Sequence, residues 1–420
     1  MIFFWRMTSV QSKISRYFYL LVDKDIFLLS AVSILFFILP FNRGVFIALY
    51  LAGLLGILKL HSIWENNQIT LLSLLWIPSL FFIYICVTPG MVFKDINIGI
   101  NMLVAFVVGV SSAIFIREKI WYVGCGILFS LIFSLIIFAI RGFPEDMVWN
   151  GRICLFFDHP SVLSFISGLV FLFFLNGIEK QNLMRKKIAI IGCIVSFTIM
   201  VFCAARGTFL AITISSIFLG IMVYRRHWIR LILVSIVGVV LLLGLLPTDE
   251  RERILSAVQN PLQDATFISR QPIWDAAIAG FKESPLIGNG IRTFESFHDR
   301  FISEHAEELH NKYPIVETSI ASPHNLYLGV AFGYGAIGIV LLLATFLPAI
   351  KWAIMNKQYC FPTLLIFYAG YGLFDYPLHR KDGILMLFFP LGFIYGQRLI
   401  TKLQRQSPAG HKQPCGAQAQ

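Results

Sequence analysis

Three side chains of types suited to phosphate chemistry flank long apolar runs. They are Arg206 in Cys203-Ala-Ala-Arg-Gly-Thr208, Arg270 in Ser269-Arg-Gln-Pro-Ile-Trp274, and His324 in Ser322-Pro-His-Asn325. A guanidinium offers forked donors that match phosphate oxygens, and Gly207 would let a ligand approach the backbone closely. Each arginine also has a plainer reading. Arg206 can snorkel to lipid headgroups and Arg270 can simply be solvated. Ser322 is a good N-cap and Pro323 suits the first helical position, which predicts His324 in the first turn of a helix. The partial positive charge there disfavours imidazolium and leaves a neutral ring able to take a proton. A capping or interfacial histidine is the alternative. Among His298, His305, His310 and His379 no pair with metal-ligand spacing has further support, so no metal site is expected.

The elements that must position these groups are membrane helices. The chain has 420 residues, 57% hydrophobic and only 14% charged, with a mean hydropathy of +0.75. An ordinary soluble domain is about 25% charged, so a soluble enzyme is excluded. Twelve apolar stretches of near-spanning length follow one another: 26–39, 45–58, 69–87, 98–116, 120–140, 162–175, 188–204, 208–224, 229–246, 326–350, 361–374 and 384–395. They predict an all-α polytopic bundle of about twelve transmembrane helices. With a cytoplasmic N-terminus, most of the Lys and Arg residues fall in the inner connecting segments, so both termini are expected in the cytoplasm. The formal charge of +11 is then accounted for by contact with membrane lipids, and nucleic acid is not an expected partner. The basic, aromatic start has no small-residue cleavage site and reads as an anchor. Seven scattered cysteines suggest neither a disulfide framework nor zinc.

One segment departs from the apolar pattern. Residues 247–322 are rich in charge and form the one sizeable outer loop domain. There Phe294, Phe297 and Phe301 share a helical face, predicted to pack on the membrane or bundle. A second helix is expected over 270–282, with Ile273, Ala277 and Phe281 on one face, ended by Pro285, Gly288 and Gly290. The organisation is therefore helices one to nine in 1–246, the loop domain in 247–322, helices ten to twelve in 323–400, and a disordered cytoplasmic tail in 401–420. Charges are nearly absent from the spans and gather at the outer mouth, where Asp375, His379, Arg380, Lys381 and Asp382 join Arg206, Arg270 and His324. That distribution suits chemistry on a lipid-anchored substrate. A flippase would need a charged path through the bundle.

Taken together, Ala205-Arg-Gly-Thr208, Arg270 with the turn Pro285-Leu-Ile-Gly-Asn-Gly290, Pro323-His-Asn-Leu326 and Gly333-Tyr-Gly-Ala-Ile-Gly338 resemble the O-antigen ligase and polymerase superfamily of bacterial inner-membrane glycosyltransferases. The resemblance runs from about residue 151 to 396. It implies a fold similar to C-type glycosyltransferases and an active site facing the periplasm. The donor it implies is an undecaprenyl-diphosphate-linked glycan, used without metal or other cofactor. Arg206 and Arg270 would hold the diphosphate, and His324 would activate the acceptor hydroxyl. Asn325 shares its motif, and Asp375 would orient an arginine or help the histidine.

The implied chemistry agrees with the residues. Glycosyl transfer needs a base for the attacking hydroxyl and positive charge for the diphosphate leaving group. A single displacement would invert the anomeric centre, and no convincing pair of facing carboxylates suggests retention. The single long loop between spans nine and ten resembles the ligase pattern, with lipid A-core as acceptor. The alternatives are a polymerase extending lipid-linked glycan and, from another class, a lipid-linked glycan flippase.

Overall fold

The computed structural model describes residues 25–41, 44–87, 93–178, 183–223 and 265–406. Helices α1 (Asp25–Ile38), α2 (Val45–Val87), α3 (Phe93–Phe115), α4 (Ile120–Ile140), α5 (Pro160–Gly177), α6 (Leu183–Cys203) and α7 (Arg206–Met222) come first. Next come α8 (Ala265–Glu283), α9 (Phe294–Glu304) and α10 (Ala306–Lys312), then α11 (Leu326–Met355), α12 (Cys360–Tyr371) and α13 (Lys381–Gln406). The strands among the described residues are β1 (Val148–Trp149) and β2 (Arg152–Ile153), paired antiparallel.

This is an all-α membrane bundle. Among the described residues seven stretches are long and apolar enough to cross a bilayer: Asn67–Val87, Ile96–Phe115, Arg117–Ile140, Pro160–Gly177, Leu183–Cys203, Leu326–Met355 and Lys381–Arg405. Four shorter apolar helices accompany them. Eleven of the expected stretches each fall on one of these helices, and stretch 229–246 lies outside the described residues. Non-helical backbone at Asn67 splits α2 between the second and third expected spans, in keeping with the two separate stretches. One boundary differs from expectation. The last helix runs on to Gln406, so residues 401–406 are helical rather than tail.

Small residues set the closest packing. A Cβ on Gly109 of α3 would lie 2.1 Å from the Phe389 carbonyl oxygen of α13, and one on Gly392 would lie 2.0 Å from that of Phe106. Without those glycines the two helices could not touch at backbone distance, the usual device of helix pairs in lipid.

The loop domain is fastened to the bundle by backbone hydrogen bonds. At Gly335 (φ 60°) the helical path of α11 breaks, and the Pro285–Gly290 turn enters the gap. Asn289 N and Gly290 N donate to Phe332 O and Gly333 O, while Ala336 N and Ile337 N donate to Pro285 O and Leu286 O. The orphaned groups of the broken helix thus find partners. Tyr84 of α2 closes the joint, its hydroxyl 2.8 Å from Tyr334 O. The expected apolar faces pack here as well, with Ile273, Ala277, Phe294 and Phe297 clustering on Phe332 of α11. Helix α8 begins at Ala265, earlier than the expected 270, and Pro272 sits inside it. An interior proline removes one helical hydrogen bond, and the packing of Ile273 and Ala277 holds the helix across it.

Candidate active site

At one end of the bundle the turn between α12 and α13 gathers a charged cluster around Asp375. Its Oδ2 accepts from the Tyr371 hydroxyl at 2.8 Å and from Arg380 Nη1 at 2.9 Å. Its Oδ1 accepts from Tyr376 N at 2.8 Å and faces His324 Nδ1 at 3.7 Å. Burial alone would raise the carboxyl of Asp375, but Arg380 and the surrounding donors hold it well below the usual carboxylate range. Arg380 Nε also faces Asp382 Oδ2 at 3.5 Å, so the arginine is shared between two carboxylates.

His324 stands outside α11, which corrects the expected cap. The N-cap is Asn325, whose side-chain oxygen accepts from Tyr327 N and Leu328 N at 3.0 and 3.1 Å. Its Nδ2 donates to Leu373 O. The carboxamide satisfies two free helix-start donors at once, and Leu326 N is taken by Gly372 O at 2.6 Å. Ser322 and Pro323 therefore precede the helix rather than begin it. His324 adopts φ 48°, a left-handed conformation that costs roughly 1–2 kcal/mol for a non-glycine residue. Strain of this kind gathers where a side chain must be aimed. The turn aims His324 at Asp375 with its side chain 40% exposed, so the ring is open to a substrate. Asp375 now supplies the electrostatic partner that the helix terminus was expected to provide.

The arginines lie on two other elements. Arg206 is the first residue of α7, after a turn in which Ala204 has φ 48°. Gly207 packs on the Asp375 turn: a Cβ there would lie 2.9 Å from Phe374 Cβ. Close approach of Phe374, rather than an open path for a ligand, therefore accounts for that glycine. Arg270, half-buried, lies one turn before Trp274 on α8. The Trp274 indole donates to Pro323 O at 3.1 Å and ties the helix of Arg270 to the residue preceding His324. Of the two residues expected to support the site, Asn325 serves as a helix cap and Asp375 is the hub of the charged cluster.

Sequence reasoning overlooked Tyr371, Trp274, Arg152 and His159. His159 caps α5, with Pro160 at the first helical position, and accepts from Ser161 N at 3.2 Å. Burial, with Arg152 nearby, holds its ring below the ordinary histidine range, and the charges of Asp375, Arg380 and His324 also reach it. The signal was present: Asp158-His-Pro160 repeats the pairing of histidine and proline before a span that drew attention to His324. His379, also at this end, is pushed down to about 4 by burial and by Arg380. Among the described residues no three His, Cys, Asp or Glu side chains converge as a metal-binding set.

Next to the cluster lies a cavity of about 170 Å³ bordered by Asp158, Arg292, Arg380, Lys381 and Asp382. Its donors and acceptors are nearly balanced in charge.

No curated protein matches the sequence. Residues 191–343 match the family described as O-antigen ligase, and that segment contains Arg206, Arg270, His324 and Asn325, with Asp375 beyond it. With these residues in an all-α membrane bundle, the match supports a likeness of the chain to the O-antigen ligase and polymerase superfamily over that segment.

Proposed function

We propose that the protein is an O-antigen ligase of the bacterial inner membrane, moving a glycan from undecaprenyl diphosphate to a hydroxyl of lipid A-core at the periplasmic face. The observation that carries this reading is the pairing of His324 with the Asp375 carboxylate, which stays ionised beside Arg380. In the reaction the acceptor oxygen bonds to the anomeric carbon as the bond from that carbon to the diphosphate oxygen breaks. The hydroxyl proton passes to His324. Nδ1 of His324 faces the carboxylate, which leaves Nε2 for the acceptor and stabilises the imidazolium that forms.

Arg206 and Arg270 hold the diphosphate and neutralise the charge that builds on the leaving group. Attack and departure in one displacement invert the anomeric centre. The balanced cavity bordered by Asp158, Arg292 and Asp382 suits the hydroxyls of an acceptor sugar, which both donate and accept. The test uses purified protein, a short undecaprenyl-diphosphate-linked glycan, and lipid A-core. Product that requires lipid A-core and disappears in His324→Ala supports the ligase, and longer lipid-linked glycan formed without it identifies a polymerase.

A further inference from the structure

A second cavity, of about 510 Å³, opens at the end of the bundle opposite His324, where Arg117, Glu118 and Gln358 stand at the helix connections. From there it runs inward between α4, α5, α12 and α13 past Leu364, Phe389 and Met386. Its size falls within the range of small-ligand sites, about 300–1,000 Å³. From Gln397 to Met386 it follows α13 for about 16 Å at about 1.5 Å per residue, close to half of a hydrocarbon core about 30 Å thick. It therefore has the depth of one leaflet and an apolar wall, the shape of a single acyl chain.

The polar end is also built. Gln397 is 5% exposed, lines the cavity, and its Oε1 has no partner among the described residues. A buried amide oxygen left without a donor costs about 1–3 kcal/mol, so the site calls for an occupant that brings an N–H or O–H. Arg117 and Glu118 set one positive and one negative charge at the same mouth. A phosphate matches the first, and an ammonium matches the second with N–H to spare for Gln397. We propose that this cavity is a lipid site that holds one acyl chain of a zwitterionic aminophospholipid, its headgroup on Arg117, Glu118 and Gln397. A polyprenyl chain lacks the donor that Gln397 needs, and an anionic glycerol headgroup offers Glu118 no cation. The site is independent of the transfer reaction.

The test is native mass spectrometry of the full chain in detergent, exchanged against equal amounts of phosphatidylethanolamine and phosphatidylglycerol. One phosphatidylethanolamine should persist per chain. Gln397→Leu, which keeps the shape, and Leu364→Trp, which fills the cavity, should each lower its retention at least tenfold, and Glu118→Gln should erase the preference between the two lipids. No retained lipid, equal retention of both lipids by the unaltered chain, or retention unchanged in the first two variants would overturn the proposal.

Discussion

Nδ1 of His324 lies 3.7 Å from Oδ1 of Asp375, while the other carboxylate oxygen is occupied by Tyr371 and Arg380. The separation exceeds a hydrogen bond, and catalytic contacts often tighten only when substrate binds. The carboxylate is already ionised and oriented, so a small movement of the His324 turn completes the pair.

Removal of the base should stop transfer and spare binding. His324→Ala is expected to lower kcat by about 10²–10⁴-fold, the usual worth of a positioned base, with donor affinity within a few-fold of the unaltered protein. Steady-state transfer and equilibrium binding of the lipid-linked donor check this. Lost binding with partial turnover would assign His324 a structural role.

In the proposed reaction Asp375 acts through His324, and its variant should show that. Asp375→Asn keeps the shape and removes the charge, so kcat should fall while donor affinity holds, since the imidazolium that forms in the reaction loses its counter-ion. Steady-state transfer beside equilibrium donor binding reads the split. Arg380→Ala should instead lower stability, by roughly 3–5 kcal/mol, because it leaves Asp375 buried without its cation, and a thermal melt in detergent separates the two effects.

At the diphosphate, geometry should matter more than charge. Arg206→Lys and Arg270→Lys keep the positive charge but lose the fork, and each is expected to retain only a few per cent of kcat/KM. Full activity in both would remove the clamp from the mechanism.

His379 fixes a pH window for stability. It is held down to about 4, whereas an unfolded histidine titrates near about 6.5. Between these values the unfolded chain takes up a proton that the folded chain refuses, so stability falls as pH drops from about 6.5 toward about 4. His379→Asn should flatten that fall in melting temperature. The depressed Asp375 contributes above the unfolded value of about 3.9 and is lost only below it, so the two residues are distinguished by pH.

The joint between loop and bundle should be intolerant of side chains. A Cβ on Gly288 would lie 2.5 Å from the Gly333 carbonyl, at a backbone φ of 74°. Gly288→Val is expected to loosen the loop domain, measured as faster proteolysis within 265–312.

Much of this was legible in the sequence because membrane helices declare themselves by length and hydropathy, and because turns written with Pro and Gly, such as 285–290, mark their own position. The Phe294 and Phe297 face also read correctly, since its period was helical. The start of α11 did not, because both Ser322 and Asn325 are good caps and only the tertiary contact of Leu326 N with Gly372 O decides between them. Nor did the grouping of Tyr371, His159 and Arg152 with His324. Their closeness depends on how α5, α11 and α12 pack, which no local spacing records.

In the proposed reaction His324 deprotonates a lipid A-core hydroxyl for attack on a lipid-diphosphate glycan. The most direct measurement is transfer by purified protein with that donor, with and without lipid A-core, beside His324→Ala. A glycosylated lipid A-core of inverted linkage should form with the unaltered protein and none with the variant. Transfer undiminished in His324→Ala, or a product of retained linkage, would contradict that reaction.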